Sequence, residues 1–101
     1  GTTDAKHRDL WANGGVKFAE TWIQTLAAGD FFAAFPGPYQ FVNLDVEGVT
    51  HELLEAVPLA DLGVELLCVE FDDRARQIEE YCRRQGFTQF QVVGCNLMVS
   101  R

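Results

Sequence analysis

The sequence predicts an α/β domain: a mainly parallel sheet in three layers, finished by an antiparallel hairpin at the carboxyl end. Three observations predict it. Runs with strand character alternate with helical ones along residues 16–100. The run 64–71, VELLCVEF, is apolar on both faces of its middle, as in a strand covered on both sides by helices. Gly94-Cys95-Asn96 separates two further strand-like runs and signals a hairpin. A chain of 101 residues has room for one domain.

The elements follow in order. Residues 5–11 read as a short helix before the breaker Asn13-Gly14-Gly15. Residues 16–23 are rich in β-branched and aromatic types and read as a strand. Residues 25–35 set Leu26, Phe31, Phe32 and Phe35 on one helical stripe, read as packing residues, with Thr25 as N-cap. Pro36-Gly37-Pro38 stops that helix. Residues 41–46 form a short apolar strand ending in acid, broken by Glu47-Gly48. Residues 50–57 read as a helix closed by Pro58, and residues 64–71 as a buried strand. Residues 74–85 are a signposted helix. Asp72 and Asp73 stand at its cap and first turn, Arg83 and Arg84 in its last turn, and Gly86 at the left-handed position after it. Its inward stripe is Ala75, Ile78 and Cys82, with Tyr81 beside it. Residues 87–93 and 95–100 are the closing strands.

Composition narrows the function. Hydrophobic residues make up 48% and charged residues 23%, the mix of a folded soluble domain. The net charge of −7 speaks against a nucleic-acid partner, which needs a basic face, and against an anionic membrane surface. No apolar run approaches the ~20 residues that span a bilayer. No basic-then-apolar leader is present, so a signal peptide is expected to be absent or removed. Cys68, Cys82 and Cys95 are odd in number and form no C-x-x-C pair, which reads as reduced thiols in a cytoplasmic protein.

Right-handed crossovers bring the carboxyl ends of parallel strands to one edge, where open α/β sheets bind ligands. Asp45 and Glu47 end one strand there, and Glu70, Asp72 and Asp73 end the next, so two acidic strand ends face one crevice. Paired carboxylates at such an edge can act as general base, fix a hydroxyl substrate or hold a divalent ion. They can equally accept backbone N–H bonds in a strand-to-helix turn. Asp72 and Asp73 are accounted for by helix capping, whereas Glu70 needs a partner at the end of a buried strand. His51-Glu52 lacks the second histidine of a zinc helix, because position 55 is Glu55. There is no dinucleotide or P-loop glycine pattern, no nucleophile elbow and no zinc-spaced cysteine cluster.

The stretch 38–48, PYQFVNLDVEG, resembles the hallmark of FkbM-type methyltransferases, in which an apolar strand runs into Asp-Val-Glu-Gly. Flanking features agree in order: 22–26 (WIQTL), the strand ending at Glu70, the helix ending in Gly86-Phe87, and the Asn96-bearing last strand. The resemblance covers residues 16–101. Thr50 stands where the family usually has a second Glu, and Glu52 lies two residues further on. It implies half of a class I methyltransferase Rossmann-like fold, with sheet order fourth, fifth, seventh, sixth strand of the parent. It also implies O-methylation using S-adenosylmethionine, with Asp45 and Glu47 facing the methyl-transfer site; Glu70, at the next strand end, is the third candidate catalytic acid, and a metal held between the carboxylates is the lesser alternative, so no metal ligand is assigned. The parent's Gly-rich cofactor loop and ribose-binding acid have no counterpart here, so no cofactor is expected on this chain alone. The expected partners are the missing amino-terminal half or a second copy. The alternative from another class is a small non-enzymatic α/β module that binds a partner or itself.

Overall fold

The structure is a computed structural model that describes residues 5, 6, 13–15, 17 and 19–101. Its elements are α1 (Ala28–Ala34), β1 (Phe41–Leu44), α2 (Thr50–Glu55), β2 (Leu66–Glu70), α3 (Ala75–Arg84), β3 (Gln89–Val93) and β4 (Asn96–Ser100). Most of the helix expected over 5–11 lies outside the described residues.

The four strands form one mixed sheet in the order β1-β2-β4-β3. β1 pairs with β2 in parallel, while β4 pairs antiparallel with both β2 and β3. Thus β1, β2 and β3 run one way and β4 runs against them. The expected mainly parallel sheet holds for strand direction but not for pairing, because the closing hairpin folds β4 back between β2 and β3.

Core-facing residues alternate along the strands, as a pleat requires. Leu44, Leu67, Val69, Leu97 and Val99 share one buried cluster with Leu54 of α2 and with Ile78 and Cys82 of α3. The opposite face carries Phe41, Leu66 and Val93, all exposed. The described residues therefore make two layers, not three. Both crossovers, β1-α2-β2 and β2-α3-β3, step along the sheet in the same direction, so a common hand puts both helices on one face.

Between α2 and β2 the chain folds in rather than crossing open water. Val57, Leu59, Leu62 and Val64 are buried, and local bonds such as Leu62 N–H to Pro58 O at 3.0 Å satisfy the backbone. Val64 is core but lies outside the ladder, which starts at Leu66.

The end of α3 follows its sequence closely. Gly86 has φ +92°, Phe87 N–H donates to Cys82 O at 3.1 Å, and Gly86 N–H donates to Arg83 O at 3.1 Å. That pair of bonds is a Schellman ending, and buried Phe87 supplies its apolar contact. The start of α3 differs from expectation. Its N-cap is Arg74, no side chain caps it, and its first turn holds no acid. Asp72 instead takes a left-handed turn conformation, φ +52°.

Three other expectations are corrected. Among the described residues of 16–23 there is no strand, and Trp22 is fully exposed. A strand persists only with a ladder partner, and none is paired there. α1 begins after Ala27, so Thr25 is not its cap. α1 also buries no residue: Phe31 and Phe35 are exposed, and only Phe32 packs on the core, edge-on to Tyr39 at 5.9 Å. Of the expected stripe only Phe31 and Phe32 stand on the helix, since Leu26 precedes it and Phe35 caps its end.

Candidate functional site

Parallel pairing of β1 with β2 builds the site. The register that sets Leu44 beside Val69 carries Asp45 to the level of Glu70, the last residue of β2. The turn after β1 returns Glu47 to the same edge. Its φ of +47° is left-handed, and Gly48 follows at φ +87°. One oxygen from each of Asp45, Glu47 and Glu70 lies within 4.8 Å of the others. The two half-buried members are Glu47 and Glu70; Asp45 is exposed. All three residues singled out in the sequence therefore meet at the carboxyl edge.

Three carboxylates this close cannot all stay ionised cheaply. The Glu70 carboxyl is pushed up to about 7, first by its hydrogen bond with the Asp45 side chain, then by burial. The negative charges of Asp45, Glu47 and Asp72 add to the shift. Glu70 is thus poised to exchange a proton near neutral pH, with the Asp45 side chain as its hydrogen-bond partner. On the far side of β2, Asn96 of β4 is the register partner of Glu70.

Two residues have parts in the structure that the sequence reading did not give them. Asp72, read as a cap, instead loads charge onto Glu70. Thr50, the first residue of α2, is fully buried, and its hydroxyl has no hydrogen-bond partner among the described residues. Burying an unpaired hydroxyl is unfavourable. No local pattern in the sequence marks such a burial.

The remaining candidates are structural. His51 Nε2 lies 3.0 Å from Glu55 Oε1, and its Nδ1 lies 3.4 Å from Arg74 Nη1. Arg74 also bonds Glu52 Oε1 at 2.8 Å, so this group ties α2 to the start of α3. Cys68, Cys82 and Cys95 are all free thiols. Burial pushes the Cys82 thiol up to about 12, which suits packing rather than nucleophilic chemistry.

Asp45, Glu47 and Glu70 are hard oxygen donors of the type that holds a divalent cation. Among the described residues no strand precedes β1. No protein-family model, curated protein or solved structure matches this chain. Among the described residues no helix is long and apolar enough to cross a membrane.

Proposed function

We propose that this chain is the carboxyl-terminal part of an FkbM-like, S-adenosylmethionine-dependent O-methyltransferase of the cytoplasm, inactive by itself. Asp45, Glu47 and Glu70 are its catalytic carboxylates. One observation carries the reading. The Asp-Val-Glu-Gly strand end and the Glu70 strand end meet within 4.8 Å at one edge of a sheet ordered β1-β2-β4-β3. That order, with β4 reversed, is the fourth, fifth, seventh, sixth order the resemblance implies, and it supports the half-domain reading.

The chemistry within reach of these residues is proton acceptance. An alcohol oxygen becomes a stronger nucleophile as its O–H bond gives up the proton. A carboxyl poised at about 7 accepts a proton efficiently at neutral pH. Glu70 in its ionised form takes the proton, Asp45 is its hydrogen-bond partner, and Glu47 adds the local negative charge that keeps Glu70 basic. The cofactor's cradle belongs to the missing amino-terminal half, which would pair along the free edge of β1. Without that half, a second copy is the available cover. The alternative, a non-enzymatic binding or self-association module, is favoured by the apolar face that the sheet leaves open.

Complementation tests the reading. S-adenosylmethionine titrated into this chain alone should show no dissociation constant below ~10 μM, which corresponds to about 7 kcal/mol. Adding the amino-terminal half of an FkbM-type enzyme in trans should restore methyl transfer to a hydroxyl acceptor, and Glu70→Gln should abolish that gain. Tight cofactor binding by this chain alone would overturn the half-domain reading. Complementation that Glu70→Gln leaves intact would overturn the catalytic one.

A further inference from the structure

We draw no further inference here: the strongest candidate, the open face of the sheet around Phe41, Leu66, Met98 and Val93, is an unpartnered apolar surface, and nothing in the structure shows what covers it.

Discussion

Glu70 is where one side chain ties stability to pH. Its folded-state value of about 7 lies above the 4.5 of the free side chain, so the folded chain binds a proton that the unfolded chain releases. The stability this contributes is complete below pH 4.5 and is lost as pH rises through 7. Thermal melts should therefore show the melting temperature falling between pH 5 and pH 8. Glu70→Gln, which keeps a neutral side chain at every pH, should flatten that fall and match or exceed the parent at pH 8. An unchanged slope in the variant would assign the dependence to other groups. Asp72→Asn removes one of the charges raising Glu70, so it should shift the titration midpoint of Glu70 downward, measurable by carboxyl NMR. Asn also tolerates the left-handed conformation at position 72, so the fold should survive that change.

At the level of elements, α3 and β2 show how local signals and packing divide the work. α3 is anchored on its inner face by Ile78 and Cys82, both fully buried, and stopped by Gly86. A side chain at position 86 would be strained twice over. The φ of +92° is unfavourable for an L residue, and a Cβ there would stand 2.9 Å from the Arg101 guanidinium. Arg101 is itself engaged: its Nε donates to Val64 O at 2.9 Å and its Nη1 to Gln85 O at 3.2 Å. Gly86→Ala should cost about 1–2 kcal/mol in urea denaturation, with the slope of the transition unchanged. In β2, Leu67 is fully buried at the centre of the core, between β1 and β4. Leu67→Ala should cost about 2–5 kcal/mol, a large share of what a chain this size has. A loss under 1 kcal/mol in the same denaturation assay would show that the core closes around the gap.

Among the described residues, apolar surface is left uncovered on the open sheet face, at Trp22, Ile23 and Leu26, and at Phe31 and Phe35 of the α1 region. β1 is also an edge strand, FVNL, without the Lys or Pro that blunts edge pairing. If a second copy covers that surface, as in the self-association proposed above, the mutual repulsion of two chains of net charge −7 opposes the pairing. Added salt screens this repulsion, so association should strengthen between 50 mM and 500 mM salt. Light scattering at micromolar concentration should give a mass above 11.3 kDa, and Leu66→Lys on the open face should lower it. A strictly monomeric mass at both salt concentrations would show that the exposed surface needs no partner.

Much was legible in the sequence wherever a local cause decides the outcome. β1, β2 and the hairpin strands follow from short apolar runs bounded by turn residues. Arg83, Arg84 and Gly86 mark the end of α3, and the strand-end acids are plain as a motif. Their convergence also follows from sequence, since parallel strands joined by right-handed crossovers share a carboxyl edge. Other features needed the assembled chain. Residues 16–23 have strand propensity, but a strand exists only against a partner. The α1 stripe of phenylalanines has helical spacing, but only a facing element could bury it. Asp72 has the composition of a cap, but the turn after β2 makes it a charge beside Glu70. Above all, the hydrogen bond between Asp45 and Glu70 and the raised Glu70 carboxyl depend on a one-residue register between strands 25 positions apart. Composition and periodicity act within one segment, whereas register, burial and charge proximity arise only when segments meet.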